Sequence, residues 1–298
     1  MEKFQLLPLG VQDFSILREG DYLYVDKTSL VYELTHTQRA VFLSRPRRFG
    51  KSLLLSTIKY YFLGRKDLFS GLAIEQMEEQ GKDPWSEYPV MYFSLASGEF
   101  MEKDGLAKKL RTSLNDFEEK YGLPHDEVSL AIRFAKALEN ANKKTGRKVV
   151  VLVDEYDNLK NMTVNPQQEE ANRNLYKAFF ATLKDCDEYL RFYMFTGVTK
   201  FSKVSIFSDL NQLNDISMNE QFAEICGITE EEMISNLEPE IKAMAEKNQI
   251  SEDECVQKLK QMYDGYHFHH NGKGVYNPFS LINALYAKEF SLYWFATG

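Results

Sequence analysis

The sequence predicts an α/β fold, a three-layer αβα sandwich with a mainly parallel sheet, followed by a small, mainly helical domain. Short apolar segments alternate with segments of helical periodicity from residue 40 to residue 198, and strands separated by helices imply a parallel sheet with helices on both faces. One apolar segment, residues 149–153, has four β-branched residues among its five, which suits a strand buried on both faces. After about Ser217 the pattern becomes helical.

The predicted elements follow in order along the chain. The predicted strands are residues 40–43, 90–95, 149–153 and 191–198, and the predicted helices are residues 51–63, 105–121, 128–142, 168–183, 220–248 and 252–263. Thr229 is followed by Glu232 three residues on, which is the pattern of a helix N-cap with a capping box. We therefore expect two domains, residues 1–218 and residues 219–298.

Composition narrows the class of protein. The net charge of −8 argues against a basic surface for nucleic acid over the whole protein, although a local basic patch would be compatible with it. The three cysteines are widely spaced and form no CxxC pair, so we expect neither a disulfide framework nor a cysteine metal site. Without a stretch long enough to span a bilayer, the chain is expected to be cytoplasmic, with no membrane contact.

Residues 45–52, which read RPRRFGKS, lie between the first predicted strand and the first predicted helix. In a phosphate-binding loop, Gly50 would permit close backbone approach, Lys51 would bind the β and γ oxygens of ATP, and the Ser52 hydroxyl would bind Mg²⁺. We assign nucleotide contacts to a set of six residues: Arg47, Phe49, Gly50, Lys51, Ser52 and Leu53. A Gly-Lys-Ser triplet alone arises by chance in about one chain in ten of this length, so the strand–loop–helix setting carries the prediction.

This loop departs from the standard phosphate loop in two ways. Arg45 stands where the first glycine is usual, and Pro46 lacks a backbone N–H. Fewer backbone donors are then available for phosphate, and side-chain charge is the simplest compensation. Arg48 is a candidate to contact the γ-phosphate in the transition state; pairing of the loop arginines with lid carboxylates is the alternative. We expect one of Arg47 and Arg48 to face the nucleotide and the other to face the lid.

An acidic pair follows the buried strand at residues 149–153. Asp154 could hold Mg²⁺, directly or through water, and Glu155 could orient and deprotonate an attacking water. Asp157 is expected to be a solvated loop acid. At the end of the next strand, Thr196 or Thr199 could sense the γ-phosphate, with Thr199 the assigned residue, although strand propensity explains either threonine equally well.

Two further groups have simpler explanations. Tyr22 or Tyr24 could stack on adenine, but packing of the N-terminal arm is the favoured interpretation. His267, His269 and His270 could suggest a metal site, but no cysteine lies near them in the sequence. A polar turn is favoured there.

These motifs resemble the AAA-ATPase-like bacterial proteins, a family described as predicted AAA-ATPases. The resemblance covers nearly the whole chain, and the phosphate loop with its missing first glycine is its most specific part. The matching segments are LPLG at 7–10, DF at 13–14, YVDKT at 24–28, RPRRFGKS at 45–52, LVDEYD at 152–157, TGVTKFS at 196–202, YDGYHF at 263–268, YNPFS at 276–280 and YWFATG at 293–298.

The resemblance implies a P-loop NTPase fold with an extra strand between the phosphate-loop strand and the acidic strand, and a C-terminal helical lid over the nucleotide. Family members commonly continue into a domain that looks like a restriction-type nuclease, and this chain ends at Gly298 before any such domain. A nucleic acid or protein partner would then bind through the missing domain, and the oligomeric state stays open.

Two functions remain as hypotheses. The first is Mg²⁺-dependent hydrolysis of ATP to ADP coupled to a conformational switch, which Glu155 favours because a pure binding protein needs no base. The second is a regulatory module that binds nucleotide, hydrolyses it little and gates a nuclease-like domain or partner, which the irregular loop favours. The residues show no convincing D…ExK arrangement, so nuclease chemistry is not assigned to them.

Overall fold

A five-stranded parallel sheet forms the centre of the protein in a computed structural model. The structure describes residues 5–81, 84–96, 102, 104–125, 128–157, 166–199 and 212–293. The strands are β1 (Ala40–Ser44), β2 (Val90–Ser94), β3 (Val149–Asp154), β4 (Leu190–Gly197) and β5 (Asn214–Asp215), in the spatial order β2-β3-β4-β1-β5. All neighbouring pairs in this sheet are parallel.

Strand β4 lies between β1 and β3, so the phosphate-loop strand and the acidic strand are not neighbours. Ser44 at the end of β1 is opposite Gly197, and Val153 near the end of β3 is opposite Phe195. The carboxyl ends of the three strands therefore meet at one edge of the sheet. The predicted extra strand and α/β fold class are confirmed.

Helices cover both faces of the sheet. The first part of the chain contributes α1 (Phe14–Glu19), α2 (Thr28–Thr37), α3 (Lys51–Phe62), α4 (Ala73–Glu79), α5 (Gly105–Tyr121), α6 (Leu130–Thr145) and α7 (Pro166–Asp185). Side chains of β3 alternate between the layers: Val149, Val151 and Val153 pack in the core with α5, α6 and α7, while Val150 and Leu152 pack in the core with α1–α4. Strand β3 is buried on both faces, as its apolar run predicts.

A third hydrophobic cluster forms a C-terminal helical unit. It consists of β6 (Ile228–Thr229), α8 (Glu230–Asn248), α9 (Glu252–Tyr263), β7 (Val275–Tyr276) and α10 (Pro278–Ala287). Thr229 caps α8 through its hydroxyl, which accepts from the Glu232 N–H, and the Glu232 carboxylate accepts from the Thr229 N–H. The predicted capping box is confirmed. Leu23 of the N-terminal arm packs in this cluster.

The segment that joins the two parts, residues 216–227, does not form the helix predicted from residue 220. It contains only a short 3-10 turn at Glu220–Phe222, and Gly227 has a φ of 95°. A left-handed residue cannot continue an α-helix, so α8 begins only after Thr229. We call residues 216–227 the linking segment. Phe222, Ile225 and Cys226 pack in the core that contains α3, and the domain division at residue 218 stays a prediction.

The helices α1, α2, α4 and α10 are absent from the sequence prediction. They are short, with six to ten residues each. Residues 200–202 and 294–298 of the family motifs lie outside the described residues. None of the described helices combines the length and apolar character that a membrane-spanning helix needs.

Candidate functional site

The phosphate loop, residues 45–52, connects β1 to the first turn of α3. Gly50 is the N-cap of this helix and has a φ of 89°, a left-handed conformation that strongly favours glycine. A Cβ on Gly50 would meet nothing within 4 Å, so the backbone angle, not space, explains the glycine. The first N–H groups of a helix have no partner within the helix, and here they belong to Lys51, Ser52 and Leu53, which line a cavity.

That cavity has a volume of about 770 Å³, which is large enough for a nucleotide-sized ligand. Four parts of the chain line it. They are residues of the N-terminal arm between Pro8 and Lys27, residues 47–54 with Thr57, the strand-end residues Glu155, Asp157, Val198 and Thr199, and the C-terminal residues 225–228, Pro278, Phe279, Ile282 and Asn283. The cavity therefore joins the sheet edge to the helical unit.

Lys51 is buried, with 6% of its surface exposed. Its Nζ donates to the carbonyl oxygen of Arg45 at 3.1 Å and to that of Pro46 at 2.9 Å. Burial lowers the pKa of Lys51, while the acidic side chains Asp154 and Glu155 act in the opposite direction. The ammonium group is thus held by the carbonyls of its own loop, at the cavity wall.

Asp154 is buried and fixed in place. Its Oδ1 accepts from the Thr196 hydroxyl at 2.7 Å and from the Glu155 N–H at 3.0 Å, and its Oδ2 accepts a longer bond from the Tyr92 hydroxyl at 3.4 Å. Thr196 therefore orients this carboxylate. Tyr92 was missed in the sequence because nothing in its strand distinguishes it from a packing aromatic.

The donor set fits magnesium in a limited way. Ser52 lines the cavity, the Oδ2 of Asp154 accepts, from the part of the chain that the structure describes, only the long bond from Tyr92, and Mg²⁺ prefers hydroxyl and carboxylate oxygens as ligands. No group of three or more His, Cys, Asp or Glu side chains within the described ranges is arranged to hold a metal ion. A magnesium ion here would depend on phosphate and water for its remaining ligands, as is usual for this ion.

Glu155 lines the cavity with a half-buried side chain and a φ of 54°. Burial, followed by the neighbouring charge of Asp154, raises the pKa of Glu155, and the positive charges of Lys51 and Arg47 oppose this. A carboxyl group with a raised pKa is a better proton acceptor near neutral pH than an ordinary one. This is the property expected of a general base.

The sequence predicts a solvated acid at Asp157, and this prediction is wrong. Asp157 instead binds backbone N–H groups at the end of β4. Its carboxylate accepts from the N–H groups of Val198 and Thr199, at 3.1 and 2.5 Å for Oδ2, and the neighbouring Tyr156 hydroxyl donates to the Thr199 carbonyl at 2.7 Å. These bonds fix the end of β4, and Thr199 lines the cavity. A Cβ on Gly197 would lie 2.3 Å from the Tyr156 ring, so only glycine permits this packing.

The three arginines of the loop have different surroundings. Arg45 is 1% exposed and donates to backbone carbonyls of Ser217, Phe222 and Ala223, so neither the phosphate edge nor lid carboxylates hold it. Arg48 has a φ of 63°, and its guanidinium lies 3.9 Å from the centre of the Phe279 ring in α10. Arg47 is exposed, lines the cavity and acts electrostatically on Glu155.

The ring of Phe49 packs against the C-terminal part of the chain. It is fully buried and packs edge-on against Tyr266 and Phe268, at centroid distances of 4.9 and 5.3 Å. Any contact of Phe49 with phosphate would therefore use its backbone.

Two weaker candidates for a functional role are the tyrosines of the N-terminal arm and the histidines before β7. Tyr24 packs edge-on against Phe14 with ring centroids 5.2 Å apart and also lines the cavity, so the packing interpretation of the N-terminal arm stays a prediction. His269 and His270 lie in a turn with their rings 4.1 Å apart, as the polar-turn interpretation predicts.

Comparisons with known proteins agree with this geometry. The chain is 38% identical over 296 residues to a protein of Azotobacter chroococcum mcd 1 described as "Uncharacterized protein in vnfD 5'region", with 98% of this chain and 54% of that protein covered. The chain thus spans about half the length of this curated relative. No solved structure matches the chain. The family described as predicted AAA-ATPase matches residues 8–207, and the chain belongs to this AAA-ATPase-like family.

Proposed function

We propose that this protein binds ATP with Mg²⁺ in the cavity and hydrolyses it to ADP and phosphate, with the chemistry coupled to a conformational switch. The family supports nucleotide binding. The observation that carries the proposal is that Lys51 and Ser52, at the start of α3, share one cavity with Glu155. A phosphate-binding helix end and a poised base are the two parts that hydrolysis of a nucleotide requires.

The cavity suggests how ATP would be oriented. The phosphates belong at the phosphate loop, where the first-turn N–H groups of α3 and the Lys51 ammonium supply positive charge. Apolar side chains also line the cavity, and a flat base would pack on them. They are Leu23, Val25, Ile225, Ile228, Phe279 and Ile282.

Ser52 and Asp154 are the residues that would hold Mg²⁺. When bound, this ion neutralises part of the negative charge of the β and γ phosphates. Thr196 keeps the Asp154 carboxylate in one orientation through their hydrogen bond of 2.7 Å. Asp154 can therefore serve as a ligand without the cost of ordering its side chain on binding.

Glu155 would orient a water molecule in line with the γ-phosphorus and accept its proton as the oxygen attacks. Thr199 is placed at the cavity wall by Asp157 and Tyr156 and would contact the γ-phosphate. We assign Arg47 rather than Arg48 to act on transition-state charge, because Arg47 acts electrostatically on Glu155 while the Arg48 guanidinium lies over the Phe279 ring. Lys51 would leave the two loop carbonyls and bind phosphate, a stronger charged partner.

One observation favours the alternative function, a regulatory module that binds nucleotide and turns it over slowly. Pro46 lacks an N–H, and the Arg45 side chain is committed to distant carbonyls. Fewer donors then stabilise the transition state than in a standard loop, and each missing donor lowers the rate by up to about 10²–10³-fold. In this function the nuclease-like domain or partner predicted from the family would respond to bound ATP.

Calorimetry and phosphate release on the purified protein test the proposal. We expect ATP and ADP to bind with Mg²⁺, Lys51→Ala to abolish binding because the main cation for the phosphates is lost, and phosphate release to exceed that of Lys51→Ala. Arg18→Met is a matched control, since Arg18 donates to carbonyls outside the cavity. Unchanged nucleotide affinity in Lys51→Ala would refute the phosphate-loop assignment, and binding without release, with or without DNA, would favour the regulatory module.

A further inference from the structure

Arg45 is among the largest fully buried side chains of the described residues and carries a positive charge. Its guanidinium donates to the carbonyls of Ser44 and Ser217 at 3.0 and 2.8 Å and to that of Phe222 at 3.1 Å. The guanidinium also lies 3.8 Å from the centre of the Phe268 ring. A single side chain of the phosphate loop therefore holds the linking segment and an aromatic residue that precedes β7.

Such a buried cation is an expensive feature. Moving a charge out of water costs several kcal/mol even after relaxation, and Arg45 is compensated by carbonyl dipoles and a ring face. Burial lowers the pKa of Arg45 to about 10, so the group still carries its charge at neutral pH. Its Nε is buried without a hydrogen-bond partner among the described residues. Simple packing of the loop would be achieved at lower cost by an apolar side chain.

The backbone of Arg45 is joined to the candidate site. Its carbonyl accepts from the Lys51 Nζ at 3.1 Å, and its N–H donates to the Gly197 carbonyl at the end of β4 at 3.1 Å. The same residue thus contacts the phosphate-binding lysine through its backbone and the linking segment through its side chain. If Lys51 turns from this carbonyl to a phosphate, the loop at Arg45 loses a donor.

Phe49 forms a second joint between the loop and the C-terminal part. Its ring packs against Tyr266 and Phe268, and a Cβ on Gly227 would lie 2.7 Å from it. The loop is therefore attached on both sides of its centre to residues of the linking segment and of the turn before β7. Close-packed contacts of this kind transmit a displacement rather than absorb it.

We propose that Arg45 is a positioning residue that couples the phosphate loop to the linking segment and to Phe268, so that nucleotide binding at Lys51 changes the packing of residues 217–228 and 264–276. This coupling rests on the proposed nucleotide binding and deepens it. The proposal explains why an arginine stands where the first glycine of a phosphate loop is usual. With Arg45 at this position, the loop contacts the linking segment and Phe268 through a side chain.

Hydrogen exchange measured by mass spectrometry on the whole chain, with and without Mg²⁺–ADP and a non-hydrolysable ATP analogue, tests this proposal. In the wild-type protein we expect nucleotide to slow exchange in the phosphate loop and also in residues 217–224 and 264–276, none of which is among the residues that line the cavity. Arg45→Met keeps the length of the side chain and removes the guanidinium. In this variant we expect slowing in the loop to remain, with affinity within about tenfold, and slowing in the two C-terminal segments to be lost.

Two further variants make the test decisive. Arg18→Met removes an arginine that donates to the carbonyls of Leu68 and Ser70, and it should behave as the wild-type protein does. Phe268→Leu leaves Arg45 in place and removes the ring beneath its guanidinium. This variant should also reduce the slowing of exchange in the two C-terminal segments. If circular dichroism shows that Arg45→Met does not fold, Phe268→Leu becomes the variant that tests the coupling.

The outcomes separate the two proposals. If calorimetry detects no nucleotide binding by the wild-type protein, the proposed function is refuted and the coupling with it. If the wild-type protein binds, and residues 217–224 and 264–276 are not slowed or are slowed equally in the variants that fold, the coupling alone is refuted. A uniform loss of stability without loss of the distant slowing would show that Arg45 is only a packing residue.

Discussion

Asp154 and Glu155 are adjacent carboxylates in different environments. Asp154 is held by the Thr196 hydroxyl and the Glu155 N–H, while Glu155 is turned to the cavity by a left-handed backbone, with φ of 54°. For a residue that is neither Gly nor Asn, that conformation costs about 1 kcal/mol or more. The left-handed backbone turns the Glu155 side chain away from the direction in which β3 points the Asp154 side chain. The two acids can therefore have different roles.

Replacement of Glu155 by Gln should separate binding from turnover. The amide keeps the shape of the carboxyl group but cannot accept a proton, so we expect nucleotide affinity to change little and phosphate release to fall about 10²–10⁴-fold. Calorimetry and a phosphate-release assay measure the two quantities. Wild-type turnover in Glu155→Gln would mean that Glu155 is a structural acid, and the regulatory module would then be favoured.

The pH dependence of kcat/KM should follow from the same residue. A general base acts when ionised, and burial and the charge of Asp154 raise the pKa of Glu155. Activity should therefore rise with pH through a pKa above that of an ordinary glutamate, and fall about tenfold per unit below it. Because Arg47 lowers this pKa, Arg47→Ala should move the acid limb to higher pH; an acid limb that stays in place would argue against Glu155 as the titrating base.

Arg47 and Arg48 should differ in their importance. Arg47 and Arg48 both line the cavity, but Arg47 acts electrostatically on Glu155, while the Arg48 guanidinium lies over the Phe279 ring, a contact worth about 0.5–1 kcal/mol at an exposed site. Hydrogen bonds to charged groups contribute about 1.5–3 kcal/mol, so Arg47→Ala should lower affinity or turnover by about 10–100-fold. Arg48→Ala should lower stability and affect turnover less. Equal losses in calorimetry and in phosphate release would contradict this distinction.

At the scale of elements, the end of β4 depends on the loop after β3. Asp157 and Tyr156 bind the backbone of Val198 and Thr199 across Gly197, where a Cβ would approach the Tyr156 ring to 2.3 Å and the Asp157 carboxylate to 2.6 Å. The two strand ends therefore form one unit at the cavity. This explains why an aromatic and an acid follow the acidic pair in the sequence.

Gly197→Ala should separate these strand ends. We expect a loss of about 1–3 kcal/mol in the free energy of unfolding, typical of overpacking, and a loss of turnover as Thr199 moves. Denaturant unfolding and phosphate release measure the two effects. Tyr156→Phe is the matched control: it removes the bond to the Thr199 carbonyl without adding volume, and should cost less stability than Gly197→Ala. If Gly197→Ala is as stable as the wild-type protein, the ring and the strand end are not tightly packed.

Strands β1 to β4, the long helices and the capping box could be predicted because their signals are local, whereas the two-residue strands β5, β6 and β7 could not. Residues 149–153 carry a continuous apolar run, and Thr229 and Glu232 are three residues apart. The burial of Arg45 could not be predicted, because its acceptors lie more than 170 residues further along the chain. The role of Asp157 could not be predicted for the same reason, because the N–H groups that it binds belong to Val198 and Thr199, at the end of β4.

At the scale of the whole molecule, the cavity exists only where distant segments meet. Leu23 of the N-terminal arm, Ile282 of α10 and the phosphate loop all line it. Leu23 also packs in the hydrophobic cluster of the C-terminal helical unit. The N-terminal arm thus connects the cavity to the helical unit from one side, and the linking segment connects them from the other.

This arrangement predicts one cooperative unfolding transition. Phe222, Ile225 and Val275 pack in the same core as α3, so the C-terminal unit cannot unfold without exposing apolar surface of the sheet domain. A nucleotide at about 100 times its Kd adds about 2.7 kcal/mol to the free energy of unfolding, which for a chain of this size corresponds to a rise in Tm on the order of 5 °C or more. The rise should appear for Mg²⁺–ADP in the wild-type protein and be absent in Lys51→Ala.

Calorimetric scanning and circular dichroism at two wavelengths check both parts of this prediction. Coincident transitions that move together with nucleotide would show that the phosphate loop and the helical unit are thermodynamically one body, as their shared core requires. Two transitions, of which nucleotide shifts only the first, would instead support independent domains divided near residue 218. Because α3 and the linking segment share a core, nucleotide bound at the phosphate loop can affect the C-terminal helical unit. A single transition would therefore support the proposal that ATP bound at Lys51 acts on a partner through α8, α9 and α10.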